Sequence, residues 1–176
     1  MTSSAPAQQP TPADRPRPWR VCWPWFAVFV LAVCFIWGNS LVPGEESGSL
    51  SLGVLHHIHG ALAAVGLPYE WVTHFLVRKT AHFTEYAVLG IVAMQAFRPH
   101  RSPSAVPVLV TALALVLIPS IDETIQLFVG GRAGQVTDVL IDCSGALTGV
   151  LLTLLASFLW GAIHKRRTER AAEKDA

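Results

Sequence analysis

Four apolar runs decide what this chain can become. They cover residues 21–37, 81–97, 106 to about 129, and 140–163. A helix needs about 20 residues at 1.5 Å each to cross the hydrocarbon of a bilayer. The last two runs reach that length, and the first two are near the short limit, so their flanking residues are expected to extend them. Only 14% of the residues are charged, against roughly 25% in soluble domains. The expected fold class is therefore all-α: a polytopic membrane protein with four transmembrane helices. The bulky "CFIWGNSLV" after the first run offers no small-residue cleavage site, so that run reads as a retained anchor. Residues 38–80, broken by Gly and Pro, read as an interfacial amphipathic helix between the first and second spans.

The basic residues orient the spans. Arg15, Arg17 and Arg20 precede the first, Arg98 and Arg101 separate the second from the third, and Lys165, Arg166, Arg167, Arg170 and Lys174 follow the fourth. With four crossings these segments share one side and hold ten of the thirteen Lys and Arg. The positive-inside rule then places both termini in the cytoplasm. Residues 1–20, rich in Pro, Ala, Ser and Thr, read as a disordered cytoplasmic segment, 21–164 as the membrane domain, and 165–176 as a charged cytoplasmic tail that frays into solvent. Trp19, Trp23, Trp25 and Trp160 lie near span ends, as interfacial aromatics do. A net charge of +1 gives no sign of a nucleic-acid partner. The three cysteines, Cys22, Cys34 and Cys143, form no CxxC pair and read as small buried hydrophobes.

That topology brings the polar residues of three spans to the outer side. "RKTAHFTEY" spaces Lys79, His82 and Glu85 by three, with Tyr86 four after His82, so Lys79 and Glu85 can bracket the imidazole on one helix face. "DETIQ" puts Asp122 and Gln126 four apart, with Glu123 turned about 100° away. "DVLID" spaces Asp138 and Asp142 in the same way, and Arg132 in the short connection is placed to neutralise part of the acidic charge. Pro119 is expected to kink the third helix just before the acids. Ionisable groups inside a membrane are costly and are by default functional or paired. The alternative is a salt-bridge network that only locks helix ends. "GALTG" at 145–149 is a GxxxG step, sufficiently explained by close helix packing. His56, His57 and His59 lack a companion ligand at fixed spacing and read as solvated or interfacial.

"RKTAHFTEYAVLG", "IDETIQLFVGGRAGQVTDVLIDCSGALTG" and the "NSLVPGEES" segment together resemble the VanZ-like membrane proteins over roughly residues 25–160. The family pattern falls on Lys79, His82, Glu85, Tyr86, Asp122, Glu123, Gln126, Arg132, Asp138, Gly145 and Gly149; Asp142 stands where relatives often carry Asn, which implies a hydrogen-bonding role there. The resemblance implies an association with low-level resistance to teicoplanin, a lipid-tailed glycopeptide acting outside the cell, and brings no agreed reaction.

Three functions stay open. In a binding module, Lys79, Tyr86, Glu123, Gln126, Arg132, Asp138 and Asp142 would line a pocket for a lipid or envelope head group, or for a lipophilic compound such as teicoplanin. In an enzyme, a hydrolase or transferase acting on a lipid or envelope precursor, His82 would be general base oriented by Glu85, with Asp122, Glu123 and Asp138 holding a metal or polarising water. In a scaffold, the polar set only joins helices. Excess carboxylate makes a divalent metal one candidate cofactor. No GxSxG, HExxH or Walker loop is present, and the sequence leaves ligand, cofactor and oligomeric state open.

Overall fold

The computed structural model describes residues 19–102 and 104–174, and these contain helices and no strand. What is expected of residues 1–18 lies outside the described residues. Five helices follow in order: α1 (Trp23–Ser40), α2 (Gly44–Ala64), α3 (His74–Phe97), α4 (Val106–Gln126) and α5 (Val136–Lys174), with one 3-10 turn at Pro99–Arg101 between α3 and α4. Three stretches are long and apolar enough to cross a membrane: Trp23–Ser40, Val106–Gln126 and Val136–Arg170.

α3 is the exception, and its position explains why. It starts at His74, seven residues before the apolar run expected from sequence, because the Thr73 hydroxyl accepts the Leu76 amide at 3.2 Å and caps the helix there. Its first turns therefore carry Arg78, Lys79 and His82. From Tyr86 onward it is the enclosed centre of the bundle: Tyr86, Leu89, Ala93 and Ala96 are all fully buried. A helix surrounded by protein does not have to present an apolar surface to lipid on every side.

α3 and α5 pack backbone to backbone. A Cβ on Gly145 would lie 2.3 Å from the Phe83 carbonyl oxygen, one on Gly149 2.0 Å from that of Ala87, and one on Gly90 2.2 Å from that of Ala146. Contact partners climb together along both helices, from Lys79 with Asp138 to Ala87 with Gly149, so α3 and α5 run parallel. At the opposite end from the acids, Phe26, Phe29 and Phe97 interlock, with the Phe29 and Phe97 rings 5.2 Å apart and nearly perpendicular.

Pro119 lies inside a continuous α4. It cannot donate to the carbonyl four residues earlier, that of Leu115. The Cys143 thiol reaches that oxygen at 3.8 Å, and Trp37 Nε1 donates to the neighbouring Ile118 carbonyl at 3.3 Å. The carbonyl freed by the proline is thus met by α5, and Trp37 of α1 adds a bond one turn along. All three cysteines are free, and of them Cys34 is exposed.

One expectation needs correction. The charged tail does not fray from residue 165: α5 continues to Lys174. "KRRTERAAEK" is made almost wholly of strong helix formers, and Lys165 lies 3.9 Å from Glu169 one turn on. The long connection after α1 is an ordered helix, α2, that contributes no buried residue. His57 and His59 donate from it to the carbonyls of Gly53 and Val72, both at 2.8 Å.

The seam gives a paired expectation. Gly149→Ala should lower thermal stability by the equivalent of about 1–3 kcal/mol, the usual cost of overpacking, against a gain of at most about 1 kcal/mol in helix propensity. Gly161→Ala, in the same helix with nothing within 4 Å of the new Cβ, should leave stability unchanged or raised. Thermal unfolding of the two purified variants in one detergent checks the contrast.

Candidate functional site

Each long helix delivers polar residues to one end of the bundle. α1 finishes with Asn39 and Ser40, α3 begins with Arg78, Lys79, His82 and Glu85, α4 ends with Asp122, Glu123 and Gln126, and α5 begins with Asp138 and Asp142. Contacts between them close the set. Lys79 and Asp138 form an ion pair. Asn39 Nδ2 donates to Glu85 Oε1 at 3.5 Å. The Gln126 amide lies 3.4 Å from Ser40 Oγ, 3.3 Å from Asp122 Oδ2 and 3.0 Å from Glu123 Oε1. With two hydrogens it can satisfy at most two of these at once.

Several side chains find partners other than those their spacing suggests. His82 is not bracketed by Lys79 and Glu85. Those two turn to Asp138 and Asn39, and the nearest acid to His82 is Asp142, with Nδ1 3.7 Å from Oδ1. Glu123 does not point away from Gln126, because a residue three back on a helix is still a neighbour and its side chain is long. Arg132 bonds no carboxylate. Its Nε donates to the Val42 carbonyl and its Nη2 to the Asn39 carbonyl, both at 2.8 Å. It thereby ties the loop before α5 to the chain leaving α1. Burial, then the nearby charge of Arg78, lowers the Arg132 pKa from its ordinary value, while Asp122, Glu123 and Glu85 act to raise it.

The set divides into two adjoining parts. The first is an open cavity of about 190 Å³ lined by Asn39, Ser47, Arg78, His82, Glu85 and Arg132 among others. At roughly 30 Å³ per water it has room for about six. The second part is sealed behind it. Asp122 and Asp142 are fully buried, Glu123 is 4% exposed, and Tyr86 packs beside Asp122 with its hydroxyl unpartnered. One ligand atom from each of His82, Asp122, Glu123 and Asp142 lies within 4.8 Å of all the others. Asp138, expected among metal-holding acids, stands outside this group with Lys79.

A third space meets the cavity. An apolar groove of about 930 Å³ runs between α1, α2 and α3, lined by Phe35, Ile36, Val54, Ile58 and Val88 among others. Leu50, Ser51, Ala81 and Glu85 line both spaces. Sequence reasoning missed Asn39, Ser40 and Arg78 as site residues. Asn39 and Ser40 did carry a signal, as a polar pair closing an apolar run at the same end as the acids. The Gln135 amide on Glu123 Oε2, at 2.9 Å, carried none, since a backbone donor leaves no mark in residue type.

A family model described as VanZ/LLP1 matches residues 25–157, from the start of α1 to well inside α5. The chain belongs to the VanZ/LLP1 family. All the polar residues just described fall within the matched range of this VanZ-like protein. No curated protein and no solved structure matches it. Its apolar helices give it the character of a membrane protein.

Arg132 is the test of how this end is held. Lys offers no planar fork and cannot reproduce two bonds to separate carbonyls. Arg132→Lys is expected to destabilise the protein by about 1.5–3 kcal/mol, the range for hydrogen bonds from charged groups. It should also speed hydrogen exchange at residues 41–47 while leaving the core of α3 protected.

Proposed function

We propose that this VanZ-like protein is a four-span membrane protein that binds an amphiphile at the outer membrane face, with the head in the polar cavity and the tail in the apolar groove. α3 is the fourth crossing. It lies parallel and in register with α5, a stretch apolar enough to span, and so traverses the same depth. α2 lies along the interface, with its apolar residues over the groove. Arg98, Arg101 and the basic tail gather at the end away from the acids, which supports both termini inside and the polar cavity outside under the positive-inside rule.

The observation that carries the binding reading is continuity. The cavity and the groove share Leu50, Ser51, Ala81 and Glu85, so one molecule can lie in both. The groove is apolar and long, as acyl or prenyl tails require. The cavity presents guanidinium, carboxylate, imidazole and amide groups together, which suits a head with both donors and acceptors. A cell-envelope lipid or precursor has this make-up, and so does a lipid-tailed glycopeptide such as teicoplanin. This reading gives the protein an envelope role on the side where such compounds are found.

Two measurements test it. In a background with Cys22, Cys34 and Cys143 replaced, Phe128→Cys should react with a membrane-impermeant maleimide from outside intact cells, and Ser104→Cys only after permeabilisation. The reverse pattern would invert the topology. Native mass spectrometry of gently extracted protein should show a retained lipid. Ala81→Trp, at the junction of cavity and groove, should lose it, while Leu155→Trp on the exposed face of α5 should keep it. Equal retention by both variants would remove the groove from the argument.

A further inference from the structure

We propose that His82, Asp122, Glu123 and Asp142 form a binding site for one divalent first-row transition ion, in the sealed part of the site behind the cavity. Asp122, Glu123 and Asp142 do not line the cavity, and His82 is the one ligand that also faces it, so the inference rests on the three buried acids rather than on the amphiphile reading.

The first observation is an unmatched charge. Three carboxylates sit together out of reach of solvent, with Asp122 and Asp142 fully buried. Of the cations nearby, Lys79 pairs with Asp138 and Arg132 with two backbone carbonyls, while Arg78 lines the adjoining cavity and bonds none of the three acids. Gln126 and the Gln135 amide supply only dipoles. Buried carboxylates at this density are paired or coordinate a metal.

The second observation is that several lone pairs of the cluster lack a donor, although the Tyr86 hydroxyl, also unpartnered, packs beside Asp122. Both oxygens of Asp142, Oδ1 of Asp122 and Nδ1 of His82 are buried without a hydrogen-bond partner. Natural structures leave few such groups, and each calls for a cause. The third is spacing. His82 Nδ1 and Asp142 Oδ1 are 3.7 Å apart, too far for a hydrogen bond. Two ligands bound at about 2.1 Å to one ion stand roughly 3.0–3.6 Å apart at angles of 90–120°. The full set lies within 4.8 Å, so closing on an ion brings the widest pair together by about 1 Å, shared between two side chains.

Ligand chemistry narrows the ion. One imidazole with three carboxylates suits Mn²⁺, Fe²⁺ or Zn²⁺. Mg²⁺ keeps several waters and is held less readily by an all-protein cage. The helices give the site a structural effect as well. His82 belongs to α3, Asp122 and Glu123 to α4, and Asp142 to α5, so one ion joins three helices of the bundle.

The test uses the full chain purified in detergent. Elemental analysis should find close to one equivalent of a transition ion in protein never exposed to chelator. EDTA treatment should lower Tm by at least about 5 °C, and one equivalent of Mn²⁺ or Zn²⁺ should restore it where Mg²⁺ at the same concentration does not. Asp122→Asn and His82→Gln should abolish both the retained ion and the restoration, while Lys79→Ala should keep them. Should those variants fail to fold, Mn²⁺-loaded wild type decides. Its electron spin echo should carry modulation from a coordinated imidazole nitrogen. Less than a tenth of an equivalent bound with no Tm response to ions would overturn the proposal, leaving protons to neutralise the cluster. An ion retained unchanged in the Asp122→Asn and His82→Gln variants, or one without imidazole modulation, would overturn it equally.

Discussion

Everything at the polar end depends on how closely α3 and α5 approach. Gly90, Gly145 and Gly149 let the two backbones touch where any side chain would hold them apart. In lipid there is little hydrophobic drive between helices, so contact of this kind is a principal source of association. It also sets the register. With Phe83 fixed against Gly145 and Ala87 against Gly149, Lys79 falls opposite Asp138 and His82 opposite Asp142. The packing motif and the chemistry are therefore not separate features of the chain. The glycines determine which ionisable side chains meet.

The same arrangement accounts for the uneven hydropathy of the helices. α1, α4 and α5 form the outside of the bundle and are apolar accordingly. α3 is the most enclosed of them, and its second half fits among Phe29, Val33, Leu115, Ile118 and Ala146. Its polar residues are accepted because their neighbours are other polar residues rather than acyl chains. A cluster of this density in the interior is expensive unless every member has a partner. Most do, through Gln126, Asn39, Lys79 and the Gln135 amide. The few that do not are concentrated in one sealed space.

Much of the architecture was legible in residue order alone. Apolar length led to a helical protein of membrane character, the order of the runs put its acids at one end, and the chain matches the VanZ/LLP1 family over residues 25–157. Pairing was less legible. Helical spacing shows which residues share a face but not which helix that face meets, so His82 was read with Lys79 and Glu85 when its neighbour is Asp142 on α5. Arg132 invited a carboxylate partner because acids flank it in sequence. The chain instead folds back to the end of α1, where backbone carbonyls accept it. The extent of α5 was missed because charge was taken as a sign of disorder, when Arg, Glu, Ala and Lys at helical spacing extend a helix into water.

One further contact links parts that otherwise stand apart. The first residue of α2, Gly44, donates to the Gly130 carbonyl at 3.0 Å, and a Cβ added to it would fall 1.9 Å from the Gly131 oxygen. The hairpin joining α4 to α5 is thus clasped to the root of the helix that roofs the groove. α2 contributes no buried residue, so it has little else to hold it. It is tied at its root to the loop carrying Arg132 and near its far end by His59 to the Val72 carbonyl. A change in the Arg132 loop is therefore felt first at the root of the helix over the groove.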